Sequence, residues 1–238
     1  MKKGKMRFGV MVIFGIFFAM MPVYAQTQPE ETPEPEVTAT PETDIYLPSD
    51  IDDIPEGWAL VWNDEFLGTE IDGYHWRYDT GGTGFGNNEL QYYTDKPENS
   101  FIEDGNLVIQ ALAEDYMGLR YTSAKLQTMV VGEWLYGRID IRAQMPYGQG
   151  IWPAFWMLPA RATYGGWPHS GEIDIMEYLG HQPETVHGTL HYSSSSGHQY
   201  TGTSYTLPEG TFADDFHIFT LIWEPERIQW YVDGMLYQ

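Results

Sequence analysis

The 238-residue sequence contains no cysteine. That excludes a disulfide framework and a lipid-modified cysteine, so the fold must be held by its core. Basic residues are also scarce, with 12 Lys and Arg against 34 Asp and Glu and a formal charge of −22. Four of the twelve fall in residues 1–25, which leaves eight in the rest of the chain. A field of that sign repels nucleic acid and anionic polysaccharides, and a neutral ligand suits it better. No long stretch carries helical periodicity. The apolar run at residues 10–21 falls short of the roughly 20 residues that span a bilayer. There is no H-E-x-x-H motif, no Ser-His-Asp order and no nucleophile elbow, so metalloprotease and serine-hydrolase chemistry have no support.

What the chain does contain divides it in three. Lys2, Lys3, Lys5 and Arg7 precede the apolar run, and Val23-Tyr24-Ala25 offers a small-residue cleavage site. Residues 1–25 therefore read as an export signal cut after Ala25, with an uncleaved anchor as the alternative. The expectation is a secreted protein, free of the membrane after cleavage. Residues 26–49 are rich in Pro, Thr and Glu without Lys or Arg. Such a stretch buries too little to offset its ordering entropy, and reads as an extended linker. Residues 50–238 are rich in Trp, Tyr and Phe and suit one domain with a sizeable core, expected to be a monomer.

This domain reads as all-β. Leu107-Val108-Ile109-Gln110-Ala111 is a short strand. Arg138-Ile139-Asp140-Ile141-Arg142-Ala143 alternates strictly, with Ile139, Ile141 and Ala143 inward. Residues 216–223 and 227–232 are further strands, the second closed by the hairpin signal Asp233-Gly234. Short strands between Gly-rich turns predict a sandwich or jelly roll. The sequence stops at Gln238, four residues past that turn, and is read as a C-terminally truncated domain.

The central stretch is Gly171-Glu172-Ile173-Asp174-Ile175-Met176-Glu177-Tyr178. Alternation puts Glu172 and Asp174 on one strand face and Ile173 and Ile175 on the other, toward the core. An unbroken strand would send Glu177 into that core, at a cost of roughly 2–7 kcal/mol or more for an unpaired polar group. A β-bulge at Ile175–Met176 removes the conflict and returns Glu177 to the acidic face. Three acids on one wet face supply what glycoside hydrolysis needs, one carboxylate to attack and one acid to protonate the leaving oxygen. Three acids at fixed spacing also arise by chance about once in a chain this acidic. A solvated strand face is thus the plainer reading of the spacing alone.

The neighbours add weight. Trp152 and Trp156 are four residues apart and share a face on a strand. Nine tryptophans are hard to place in a core with every N–H satisfied, and a stacking platform for sugar rings is the reading adopted for this pair. Gly84-Phe85-Gly86-Asn87-Asn88-Glu89 runs into Leu90-Gln91-Tyr92-Tyr93. Its amides can match sugar hydroxyls, or Asn can simply serve a left-handed turn. In His187-Gly188-Thr189-Leu190-His191 the histidines would lie roughly 13 Å apart on a strand, too far to share an ion, so no metal site is predicted. His191 is read as either a sugar-binding or a structural histidine.

Taken together these segments resemble glycoside hydrolase family 16, and within it the laminarinases, endo-β-1,3-glucanases. The resemblance runs from about Trp58 onward. It is carried by Leu60-Val61-Trp62-Asn63-Asp64-Glu65-Phe66, Asn87-Asn88-Glu89-Leu90-Gln91-Tyr92-Tyr93, Tyr136-Gly137-Arg138 and Gly150-Ile151-Trp152-Pro153-Ala154-Phe155-Trp156. The acidic stretch follows, then Val186-His187-Gly188-Thr189-Leu190-His191-Tyr192 and Trp230-Tyr231-Val232-Asp233-Gly234. It implies a β-jelly roll with a concave cleft and a retaining mechanism. Glu172 would be the nucleophile, Glu177 the acid/base, and Asp174 the residue that tunes their protonation. The extra residue before Glu177 matches the bulged laminarinase motif rather than the shorter one of lichenases. Asn87, Trp152, Trp156 and His191 fall at positions that line sugar subsites. The substrate implied is a neutral β-glucan. No catalytic cofactor is implied, and a structural calcium away from the cleft is allowed. A hydrolase of mixed-linkage β-1,3-1,4-glucan or another neutral polysaccharide and a non-catalytic β-glucan-binding protein are the competing readings, the last disfavoured because all three acids are present.

Overall fold

The computed structural model describes residues 15–19, 54, 56–128 and 132–238, the first of these segments by its backbone alone. The proposed cleavage site and the linker at 26–49 lie outside the described residues. In chain order the strands are β1 (Gly15–Ala19), β2 (Trp58–Trp62), β3 (Arg77–Tyr78), β4 (Gln91–Tyr93), β5 (Ser100–Glu103) and β6 (Asn106–Ile109). Next come β7 (Leu112–Tyr116), β8 (Leu119–Ser123), β9 (Leu126–Gln127), β10 (Gly137–Ala143), β11 (Ala154–Met157) and β12 (Glu172–Tyr178). Then follow β13 (Thr185–Ser194), β14 (Gly197–Thr206), β15 (His217–Glu224), β16 (Arg227–Val232) and β17 (Met235–Leu236).

Two sheets dominate. One has the order β17-β16-β15-β10-β1-β2, the other β11-β12-β13-β14. The chain belongs to the all-β class and forms a jelly-roll sandwich, as its short strands between Gly-rich turns predict. β10 shows why. Ile139, Ile141 and Ala143 are buried while Arg138, Asp140 and Arg142 point away. Outside, Arg138 Nε sits 2.7 Å from Asp140 Oδ2. β15 and β16 pair from Phe219↔Val232 to Glu224↔Arg227. Val232 then faces Met235 across a two-residue turn in which Asp233 and Gly234 have φ of 49° and 77°, the twist a tight hairpin requires. β1 lies within the stretch read as an export signal, and its backbone pairs with both β10 and β2.

The core fills the space between the two sheets. Phe219, Leu221, Trp230 and Val232 come from one side, and Ile173, Ile175, Met176, Tyr178 and Val186 from the other. Each large apolar side chain so buried contributes about 1.5–3 kcal/mol. Trp230 also reaches across, its Nε1 donating to the Asp174 carbonyl at 2.8 Å. Gly188 makes room for it, since a Cβ there would stand 2.5 Å from Trp230 Cδ1 and 2.7 Å from the Tyr237 hydroxyl. Gly188→Ala is therefore expected to destabilise by about 1–3 kcal/mol, the cost of overpacking a filled core. A thermal melt checks it, and an unchanged midpoint would mean that Trp230 moves aside freely.

Candidate active site

The bulge is where the acid spacing calls for it. Toward β13 the pairing passes from Asp174↔Thr189 to Glu177↔His187, three residues against two. Toward β11 it passes from Phe155↔Met176 to Trp156↔Asp174, so Ile175 is the extra residue. Ile175 and Met176 are both buried, side by side in sequence. Glu172 and Glu177 are each half-buried at the two ends of the same polar face, and Asp174 between them is 4% exposed.

Indole donors hold the outer acids. Trp167 Nε1 donates to Glu172 Oε2 at 2.6 Å, and Trp152 Nε1 donates to Glu177 Oε1 at 3.1 Å. His191, which pairs with Glu172 across β12 and β13, places Nε2 3.1 Å from Asp174 Oδ2. The approach is short but out of line for a hydrogen bond, and Oδ2 is otherwise buried without a partner. It is a close polar contact between the imidazole and the carboxyl. Burial, then the charges of Glu172 and Glu177, and a proton shared with Glu172 push Asp174 up to about 8. A carboxyl in that state donates to Glu172 near neutral pH and needs little reorganisation to release its proton later.

The same displacement has a thermodynamic consequence. Asp174 binds its proton more tightly folded than unfolded, where its value is near 3.8. Its contribution to stability is thus fully present below about pH 4 and is lost as pH rises toward about 8. Thermal melts of Asp174→Asn across this window are expected to vary less with pH than those of the wild type. An identical slope in both would place the displaced proton elsewhere.

Trp152 and Trp156 are 48% and 38% exposed on this face, where a core position would have hidden them. Trp152 precedes β11, and Trp156 lies opposite Asp174. One face of Trp156 is capped by Lys125, whose Nζ is 4.8 Å from the ring centroid. Lys125 is anchored by Asp79 at 3.0 Å and lies 4.3 Å from the Phe85 ring, which ties the Gly-rich loop to the sheet. Asn87 lies in that loop, exposed, with Nδ2 3.4 Å from Glu89 Oε1. Its φ is ordinary; Phe85 and Asn88 carry the left-handed backbone instead, at 42° and 57°. Trp156→Ala is expected to raise KM about 2- to 13-fold, the worth of one aromatic contact of about 0.5–1.5 kcal/mol, with kcat little changed. Unaltered KM would remove Trp156 from the binding surface.

Sequence reasoning missed Trp167 and Lys125. Trp167 sits in a loop shaped by Ser170 Oγ, which donates to the Gly165 carbonyl at 2.7 Å and accepts from Tyr164 N at 3.1 Å. An aromatic residue five positions before Glu172, flanked by Gly and Pro, was the available signal. Lys125 is far from the acids in sequence and gave none.

Among the described residues, Glu172, Asp174 and His191 are the grouping whose ligand atoms lie close enough to share an ion, within 4.8 Å of one another. Two carboxylates and an imidazole do not resemble a calcium cage, which takes 6–8 oxygens, and the grouping lies among the acids rather than away from them. The arrangement suits proton sharing and attack on a neutral acetal carbon.

Paired carboxyls on one sheet face, each held by an indole, with a protonated carboxyl between them, define a glycoside-hydrolase type of site on a jelly roll. The family model of glycosyl hydrolases family 16 matches residues 72–238. A beta-glucanase of Rhodothermus marinus is 49% identical over 198 residues, covering 80% of this chain and 68% of that protein. Glucan endo-1,3-beta-glucosidase A1 of Niallia circulans is 40% identical, covering 86% of this chain and 32% of its own length. Among solved structures, the laminarinase from Rhodothermus marinus aligns with a TM-score of 0.71 at 47% identity, over 76% of this chain and 74% of that one. The chain belongs to glycosyl hydrolases family 16.

Proposed function

We propose that this protein is a secreted endo-β-1,3-glucanase that cleaves laminarin-type β-glucans by double displacement with retention. The observation that carries the reading is the bulged β12, which gathers Glu172, Asp174 and Glu177 on one indole-bearing face. Glu172 attacks the anomeric carbon as the C1–O bond breaks. Glu177 gives its proton to the departing oxygen. Glu177 then takes a proton from water, which attacks C1 and frees Glu172. Asp174 donates to Glu172 while that group is an anion and adjusts as its charge is lost on bonding to the sugar. Trp152, Trp156, Asn87 and His191 are assigned to the subsites. The strong negative charge favours a neutral glucan over sulfated glycans. The names of the Niallia circulans relative, a glucan endo-1,3-beta-glucosidase, and of the solved laminarinase favour β-1,3-glucan.

The chemistry uses carboxyl groups alone; any calcium would be structural and remote from the acids. The protein would act as a monomer without a membrane partner once its signal is removed. A mixed-linkage β-1,3-1,4-glucanase is the second reading, favoured by the generic name of the Rhodothermus relative.

The test incubates the full chain with laminarin, lichenan and agarose and measures reducing ends, with NMR of the first product. Fastest release from laminarin and initial appearance of the β-anomer are expected. An α-anomer first would replace retention by inversion, and faster release from lichenan would move the assignment to mixed-linkage glucan.

A further inference from the structure

Behind Asp174 two imidazoles stand in line. His191 Nδ1 lies 2.9 Å from His198 Nε2, with the rings stacked at 5.1 Å and 27°. The other nitrogen of His191, Nε2, is the atom 3.1 Å from Asp174 Oδ2. His198 comes from the start of β14, just after the turn that joins it to β13. Trp167 packs against both rings, with centroids 4.7 Å from His198 and 6.1 Å from His191, and the Tyr200 ring lies 6.3 and 6.0 Å from them. The titratable groups that face the pair are Asp174 and Glu172 from β12 and Tyr200 from β14.

A neutral imidazole has one N–H and one bare nitrogen. Which nitrogen holds the hydrogen is set by the partner of the other. Asp174 Oδ2 is buried and has no aligned donor elsewhere. If His191 is to supply it, Nε2 must carry the hydrogen and Nδ1 must accept one. Among the described residues, the group at hydrogen-bond distance from Nδ1 is His198 Nε2.

We propose that His198 is a positioning residue for this site, donating from Nε2 to His191 Nδ1 and so holding His191 as the Nε2–H tautomer that supplies Asp174 Oδ2. The other oxygen of Asp174 is then left to share its proton with Glu172. His198 acts on the acids through His191, the residue that stands between it and Asp174. The inference rests on the hydrolase reading for its kinetic arm and not for its spectroscopic one.

The test uses the full chain and two variants. His198→Gln keeps an N–H donor on a side chain of similar reach. His198→Phe keeps a ring against Trp167 and has no donor. Nitrogen-15 NMR of labelled histidine reads the tautomer of His191, and laminarin hydrolysis gives kcat and KM. Wild type and His198→Gln are expected to show the Nε2–H form with similar kcat. His198→Phe is expected to lose that form and to lower kcat about 2- to 13-fold, the worth of one hydrogen bond, with KM little changed. An Nδ1–H His191 in the wild type overturns the proposal, as does one spectrum shared by all three proteins. Equal kcat in wild type and His198→Phe overturns it as well. If His198→Phe does not fold, the wild-type and His198→Gln spectra decide. If the wild type cleaves no glucan, the functional reading fails while the tautomer still decides this one.

Discussion

Glu172→Ala is expected to hydrolyse laminarin at least about 10⁴-fold more slowly than the wild type while staying folded, because it removes the attacking group itself. The fold should tolerate the change. Glu172 is half-buried, and its indole partner Trp167 is 55% exposed, so the freed N–H finds water. The space left beside the anomeric carbon can admit azide. With an aryl β-glucoside as substrate, azide attacks C1 as the phenolate leaves, and the product is an α-glycosyl azide. Its configuration is opposite to that of the substrate because one displacement replaces two. Chromatography and NMR of that product identify the face from which Glu172 acts. A β-azide, or wild-type hydrolysis by the variant, would take the nucleophile role away from it.

The companion variant separates the second role. Glu177→Ala should slow hydrolysis of the natural glucan by about 10²–10⁴-fold, the usual worth of a positioned proton donor. An aryl glycoside with an acidic phenol needs no such donor, so its bond should break at nearly the wild-type rate. The glycosyl-enzyme would then accumulate, because water has lost its base. A burst of phenol followed by a slow phase is the expected trace, and azide should speed the slow phase and yield the β-azide. Equal losses on glucan and aryl glycoside would show that Glu177 does something other than donate a proton.

The features legible in the sequence were those set by local periodicity. Strict alternation at Ile139, Ile141 and Ala143 gave β10 its inward face, and Asp233-Gly234 gave the hairpin after β16. The bulge was also legible, because an acid at position 177 conflicts with the pattern begun at Glu172, and one extra residue resolves it. What could not be read was side-chain partnership across long separations. Trp152 meets Glu177 from 25 residues away, and Trp230 meets the Asp174 carbonyl from 56. The sequence leaves His191 open as a sugar ligand or a structural residue, and gives no sign of its contacts with Asp174 and His198. Lys125 and Trp156 are joined only by the folding of distant strands. Nothing in composition or spacing encodes those meetings, since they depend on how two sheets and their loops settle against one another.

Ile175 is the residue of β12 that finds no ladder partner on either flank. Without it the stretch would read Glu, Ile, Asp, Met, Glu, which alternates perfectly and still presents all three acids to the same side. The parity of the acidic wall is therefore indifferent to this residue, and the ladder resumes its register beyond it on both flanks. What the insertion changes is the interior. Ile175 and Met176 enter the core consecutively, so the sheet gains an apolar side chain at the point directly beneath the acids and a sharper local twist above it. Catalytic spacing and core volume become separately adjustable quantities, and a lineage could lengthen or shorten this strand by one residue to reshape the wall of its binding surface without dismantling the chemistry.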